Sequence, residues 1–213
     1  MDTKKIIQAL AYMAYKEPNH VMDNIKAYKL LWLADRYHVR RTGRLVTGDV
    51  YYAMPKGPVP SDAKNLLEGQ ATHLATDNQY LKEYIKCLGD KYEVIREPNG
   101  KVFSISDREA MDLVYNVFGS MDADMLSTYS HEYPEWLAYK DQIEKDGTKN
   151  SYRIDMDLFF ENNGVDDRGL FADDEEALML AKEVYHEYHR GTTFRQMQFL
   201  QNISKVKHLR TIP

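Results

Sequence analysis

A single cysteine, Cys87, stands in a chain of 213 residues. It leaves no intrachain disulfide and no second sulfur for a thiolate metal site, so a reducing, cytoplasmic compartment is expected. No apolar run approaches the roughly 20 residues that a membrane-spanning helix needs, and a soluble protein is expected. Excess positive charge is missing as well. Lys+Arg 28 against Asp+Glu 33 gives a net charge of −5, which argues against a non-specific nucleic-acid coat, because such a coat must displace counterions from phosphates. Fixed-period repeats and low-complexity tracts are absent. Met1-Asp2-Thr3-Lys4-Lys5 leads into an amphipathic segment, so no secretory signal is expected. What the chain does have is apolar and aromatic material: 43% hydrophobic residues and 16 tyrosines. That is enough to build a core, with one domain, or one domain plus an extension, as the default.

The spacing of apolar residues predicts an α+β protein dominated by helices. Ile6, Ile7, Leu10, Met13 and Ala14 share one helix face, and Pro18 ends that helix. Asp23 caps a second helix bearing Ile25, Tyr28, Leu31, Trp32 and Leu33, which runs to about Arg41 with Gly43 as its stop. Val50 to Ala53 read as a short strand, Gly57-Pro58-Val59-Pro60 as a rigid turn, and Ser61 as the cap of a helix over Ala63, Leu66, Leu67 and Leu74. A short helix follows over Gln79 to Leu88. From Lys91 to Ile105 a β-hairpin is expected. Tyr92, Val94 and Ile95 form one arm, Val102, Phe103 and Ile105 the other, with Asn99-Gly100 as the turn. Ser106 or Asp107 caps the next helix, over Ala110, Leu113, Val114 and Val117. Asp122 opens another, with Leu126 and Tyr129. Pro134 starts one through Trp136, Leu137, Tyr139 and Ile143. Asp155 caps a short helix from Ile154 to Phe160.

The composition then shifts. Acidic residues dominate from Asp155 to His189, whereas Gly191 to Pro213 carries Arg195, Lys205, Lys207 and Arg210 and no acid. Asp173-Asp174-Glu175-Glu176 favours a helix start. That helix carries Ala177, Leu180, Ala181, Val184 and Tyr188. A last helix is expected from about Thr193, with Phe194, Met197, Leu200, Ile203 and Val206 at three-residue steps. Together they read as a C-terminal helical hairpin of opposite charge, its basic arm docking on the acidic neighbour or on an acidic partner. The division is a compact domain over 1–162 and an extension over 163–213.

Catalytic and metal motifs were weighed in turn. No Gly-x-Ser-x-Gly elbow is present, and His131-Glu132 is not followed by the second histidine of a zinc-protease helix. Glu183-x-x-His186 has di-iron spacing but no second copy. Gly164 and Gly169 have P-loop spacing, yet Leu170-Phe171 stand where Lys-Ser/Thr belongs. Arg36, Arg40, Arg41 and Arg44 form the best nucleic-acid candidate, part of which helix-dipole compensation explains. His131 reads either as a helix-end residue beside a core Trp136 or as the centre of an uncharacterised hydrolase.

Three ordered blocks carry a resemblance. Leu30 to His38 reads Leu-Leu-Trp-Leu-Ala-Asp-Arg-Tyr-His, followed by Thr-Gly-Arg-Leu-Val-Thr-Gly-Asp and Tyr-Tyr-Ala-Met-Pro-Lys-Gly-Pro-Val-Pro up to residue 60. Residues 126–136 read Leu-Ser-Thr-Tyr-Ser-His-Glu-Tyr-Pro-Glu-Trp, and 154–160 read Ile-Asp-Met-Asp-Leu-Phe-Phe. This order resembles the Panacea domain family of SocA-like and phage-associated GepA-like antitoxins, over about residues 5–162. The resemblance implies a mostly helical domain with small β elements. It also implies a non-enzymatic protein without cofactor or metal that binds and neutralises a toxin encoded by a neighbouring gene. The candidate partner-binding residues are Tyr51, Tyr52, Lys56, Gly57, Pro58, Val59, His131 and Trp136. In this reading the Gly-Pro-Val-Pro segment is a stiff connector and also a preformed surface loop, which loses little entropy on binding. The alternatives are a DNA-binding regulator using the four arginines and the His131-centred hydrolase.

Overall fold

A computed structural model describes residues 2–70, 75–145, 150–163 and 169–191. Its element order is α1 (Thr3–Tyr15), β1 (Val21–Asp23), α2 (Asn24–Thr42), β2 (Tyr51–Met54), β3 (Gly57–Pro60), α3 (Ser61–Leu67), α4 (Ala75–Tyr84), β4 (Ile85–Cys87), β5 (Lys91–Val94), α5 (Ile105–Phe118), α6 (Ala123–Ser130), α7 (Pro134–Leu137), α8 (Lys140–Lys145) and β6 (Tyr152–Arg153). A further helix, here α9, covers 175–191. The expected α+β, predominantly helical class is what the structure has. Among the described residues no helix is long and apolar enough to cross a membrane.

Helix α2 is the axis of the molecule. Asp23 accepts hydrogen bonds from the amides of Ile25 and Lys26 at its start. Gly43 ends it in the left-handed region, at φ 66°, where a residue with a Cβ is strained. Trp32, Leu30, Leu31, Leu33 and Val39 are fully buried, and so are the polar Lys29, Asp35 and Arg36. A helix buried on all sides is a core helix. Around it pack α1, α3, α5 and α6 and two small antiparallel sheets, ordered β1-β5-β4 and β3-β2-β6.

Several local expectations are corrected. The Gly57–Pro60 segment is a strand, not a turn; the turn is Pro55-Lys56. Its register is Tyr52 opposite Val59 and Ala53 opposite Pro58, and the Ser61 amide donates to the Val50 carbonyl at 2.8 Å. With a two-residue turn, alternate positions face the partner strand. Pro58 and Pro60 occupy the positions that face away, on an edge strand, where a missing N–H costs nothing.

The hairpin expected over Lys91–Ile105 does not form. Strand β5 pairs instead with β4, through a turn at Gly89 (φ 85°), and with β1. Pro98 lacks an amide for a ladder, and Asn99 caps a 3-10 turn over Gly100–Val102, accepting from the Lys101 amide at 3.1 Å. Phe103 packs on Tyr12 of α1 and Ile105 opens α5. The helix expected up to Leu88 stops at Tyr84, because β-branched Ile85 and Cys87 enter the sheet.

Ser104, not Ser106, caps α5, in a reciprocal box with Asp107. Pro60, not Ser61, stands at the start of α3, and the remote Asp49 supplies the missing acceptor. The helix expected from Pro134 to Ile143 is split into α7 and α8. Asp122, Pro134 and Asp155 hold the positions expected of them. Leu74 and the last helix from Thr193 lie outside the described residues.

Candidate functional site

The eight candidate residues meet around the β2–β3 hairpin. The Trp136 indole N–H donates to the Met54 carbonyl at 3.0 Å. His131 stacks on the same indole, ring centroids 3.9 Å apart at 20°. Thus a segment near residue 54 and one near 131–136 form one unit. Within it, Tyr51, Gly57, Pro58, Val59 and Trp136 are buried, Tyr52 and His131 are half-buried, and Lys56 is exposed. The expectation of a surface loop at 57–59 is corrected: these residues are the hairpin's foundation. Its accessible part is the Pro55-Lys56 tip, the edge of His131, and Tyr52 beside a shallow cleft. That cleft, about 140 Å³, is lined by Tyr52, Met54, Val59, Ser61, Lys64 and Ser151, among others.

The foundation is a set of buried polar groups on α2, each tying down a different loop. Lys29, wholly buried, donates to the Pro58 carbonyl at 2.8 Å. Burial, and then the nearby charge of Lys56, hold its ammonium well below the usual lysine range. Gly57, at φ 94°, passes directly over it. A Cβ there would sit 2.0 Å from Ser130 Oγ and 2.7 Å from Lys29 Nζ. Asp35 accepts from the Thr47 amide at 2.9 Å, from the Thr47 hydroxyl, and from the Tyr51 hydroxyl at 2.8 Å. Burial raises both Asp35 and Tyr51 above their ordinary values. The loop from Gly43 to Val50 and the start of β2 are thereby fixed to the helix.

The next two turns of α2 hold the C-terminal part. Arg36 pairs with Glu135 of α7, both fully buried, and reaches the Leu158 and Glu161 carbonyls. Burial raises Glu135 above its ordinary value, against the pull of the guanidinium. Arg40 donates to the carbonyls of Phe159, Glu161 and Phe171, to Asn162 and to Asp173. Arg41 lies 3.8 Å over the Tyr37 ring and pairs with Asp173 at 2.5 Å. Arg44 pairs with Asp107 at 2.9 Å. The four arginines expected as a nucleic-acid patch are therefore internal clamps or are paired with acids. This corrects the expectation for Arg36 and Arg40, because a buried guanidinium cannot displace counterions from phosphate; Arg41 and Arg44 remain partly exposed, each paired with an acid.

Catalysis at His131 finds no geometry either. Its ring packs on Trp136, and burial followed by the positive Lys29 lowers its proton affinity. Its Nε2 is buried without a hydrogen bond. No carboxylate orients it and no nucleophile faces it among its described contacts. Glu183-x-x-His186 is likewise occupied: His186 pairs with Asp157 at 2.8 Å. Among the described residues no group of three or more His, Cys, Asp or Glu converges on a metal position.

The family profile "Antitoxin SocA-like, Panacea domain" matches residues 28–137, just over half of the chain. The chain belongs to this family. Comparison with curated proteins and with solved structures returns no match. The Panacea match begins at Tyr28, one residue before Lys29, and ends one residue after Trp136. It thus spans α2, the hairpin and the His131–Trp136 unit that leans on it.

Residue reasoning missed the buried polar set Lys29, Asp35, Thr47, Asp49, Ser130 and Glu135. A signal was present. Lys29, Arg36 and Arg40 stand at i, i+7 and i+11, in one line along the helix, with Trp32 and Leu33 on either side of that line, so burying those apolar side chains draws the charged ones in with them.

Asp49 provides a test of this foundation. It accepts from the amides of Val50, Asp62 and Ala63 at 2.7–2.9 Å, and burial pushes its carboxyl up to about 7. A raised folded-state pKa means that folding favours the protonated form. The associated stability is complete below about pH 4 and is lost as pH rises through about 7. The wild type is expected to lose stability relative to Asp49→Asn between pH 5 and pH 8, by an amount on the order of 1–3 kcal/mol. Urea unfolding at the two pH values checks it, and parallel curves for the two proteins would contradict it.

Proposed function

We propose that this Panacea-family protein is an antitoxin that neutralises a cognate toxin by direct, non-enzymatic protein–protein contact, and that the toxin is the product of a neighbouring gene. The family match over residues 28–137 supports the antitoxin reading. The rigidly founded hairpin supports the choice of surface. Its tip is Pro55-Lys56, with Tyr52 and His131 to either side. Tyrosine brings large contact area at low entropic cost, and a pre-ordered hairpin loses little freedom on docking. By filling its partner's active region, the chain would hold the toxin in an inactive complex by mass action.

Co-expression tests the reading. Wild-type chain is expected to restore growth of cells expressing the neighbouring gene product. The double variant Tyr52→Ala, Lys56→Glu is expected to lose rescue by tenfold or more in required inducer while remaining folded. A non-toxic neighbour, or rescue that fails with soluble wild-type chain present, would overturn the reading.

A further inference from the structure

Where the last turns of α2 meet the start of α5, His38 and Ser106 form a base and nucleophile pair. His38 is only 2% exposed, and both of its ring nitrogens are engaged. Nδ1 lies 2.6 Å from the Arg44 carbonyl and Nε2 3.0 Å from Ser106 Oγ. A carbonyl only accepts, so the ring proton sits on Nδ1, and the Nε2 lone pair is left for the Ser106 hydroxyl. The Thr42 hydroxyl, 3.1 Å from Nδ1, donates to the His38 carbonyl instead. Burial holds the ring's proton affinity below the ordinary histidine value, which favours the neutral form that a general base needs.

Ser106 is oriented from its other side. Ser104 Oγ, 3.1 Å from Ser106 Oγ, already accepts from the Asp107 amide and from Arg44. Its own proton therefore points to Ser106, and the Ser106 proton points to His38. Ser106 is half-buried and Ser104 exposed, so the pair stands at the surface.

The surroundings match the charges that acyl transfer creates. Asp107 Oδ1 lies 3.4 Å from Nε2, where it stabilises an imidazolium. Against burial, hydrogen bonds from Lys5 and the Ser104 amide and the charge of Arg44 hold Asp107 below the usual carboxylate range. The first amides of α5, those of Ile105 and Ser106, have no acceptor within the helix and are free to donate to an oxyanion. A backbone carbonyl, not a carboxylate, orients Nδ1, so the imidazolium gains less there than in a serine triad. That difference favours a good leaving group, hence an ester over an amide.

We infer that Ser106 is a catalytic serine with His38 as its general base, and that the pair hydrolyses small carboxylic esters. Ser106 Oγ bonds to the ester carbonyl carbon as its proton passes to Nε2. The bond from that carbon to the alkoxy oxygen breaks, and the departing oxygen takes the proton and leaves as the alcohol. Water then gives a proton to Nε2 and adds to the acyl carbon. The bond to Oγ breaks, Oγ recovers the proton, and the carboxylic acid is released. This activity is additional to toxin neutralisation and uses none of the hairpin residues, so either reading can fail without the other.

Fluorophosphonate labelling of the full chain with tandem mass spectrometry, and turnover of p-nitrophenyl acetate, test this. A phosphonyl adduct is expected on Ser106, about a hundredfold or more above the neighbouring Ser104. Ser106→Ala removes one half-buried hydroxyl. It is expected to keep the wild-type urea midpoint and to lose about tenfold or more in kcat/KM for the ester. His38→Gln is expected to abolish the Ser106 adduct. An unlabelled Ser106, a Ser104 labelled as strongly, or ester turnover unchanged in Ser106→Ala would overturn the inference, as would a Ser106 adduct that persists in folded His38→Gln. Should His38→Gln unfold, the ratio of Ser106 to Ser104 labelling in the wild type decides.

Discussion

Replacing Arg36 by alanine is expected to destabilise the protein by about 3–5 kcal/mol, the usual cost of removing one partner of a buried ion pair. The reason lies with Glu135. Its side chain is fully buried, Arg36 holds its Oε1, and its Oε2 has no hydrogen-bond partner. Without the guanidinium it must either remain as an unpaired charge or take up a proton in a site shaped for a pair. The carbonyls of Leu158 and Glu161 lose this donor at the same time but keep others, the Glu161 amide and Arg40 respectively, so the cost centres on Glu135. Desolvation makes a buried pair a weak net stabiliser. The double variant Arg36→Met, Glu135→Leu is therefore expected to recover a large part of the loss. Urea midpoints of the three proteins test this. A single variant within about 1 kcal/mol of wild type would show that Glu135 does not depend on Arg36.

Gly57→Ala is expected to cost about 2–5 kcal/mol. The backbone there has φ 94°, a conformation that costs roughly 1–3 kcal/mol for residues with a Cβ. The new methyl would also sit 2.0 Å from Ser130 Oγ, and overpacking of that kind adds typically 1–3 kcal/mol. The hairpin can relieve the contact by lifting off α2, which breaks the Lys29–Pro58 bond and leaves the lysine without its acceptor. Neutralisation is then expected to fall along with stability. Ser130→Ala, Gly57→Ala is expected to be only partly rescued, because the backbone strain remains. A melting temperature for Gly57→Ala equal to the wild type's would contradict the placement of this residue.

The helical framework was legible in the sequence where caps and apolar periodicity agreed. Asp23 and Gly43 bound α2 as their chemistry requires, and Asp122, Pro134 and Asp155 mark starts that the structure keeps. The small strands were less legible. Asn99-Gly100 carries strong hairpin chemistry, but Pro98 and the competing capping role of Asn99 outweigh it, and β5 finds longer-range partners in β1 and β4. Gly-Pro-Val-Pro has the composition of a turn. It forms a strand because its prolines fall on the side of an edge strand that needs no donor, which only the register reveals.

The candidate site was half legible. The sequence blocks that carry the family resemblance are those that meet at the hairpin, yet five of the eight residues support the surface from below instead of forming it. What fixes them, Lys29 and Asp35 above all, acts through contacts 12 to 29 positions away along the chain, a separation that local patterns do not encode. The arginines show the same limit: identity and spacing fit a basic patch, but Arg36 and Arg40 are buried and Arg41 and Arg44 are paired with Asp173 and Asp107.

Hydrogen exchange on the complex between the full chain and the neighbouring gene product tests the central proposal most directly. The proposal predicts new protection at residues 52–57 and around His131 on complex formation, a stoichiometric complex, and a toxin whose activity falls in proportion to the fraction bound. Protection confined to other faces of the chain, or a toxin that loses activity by chemical alteration while remaining unbound, would contradict it.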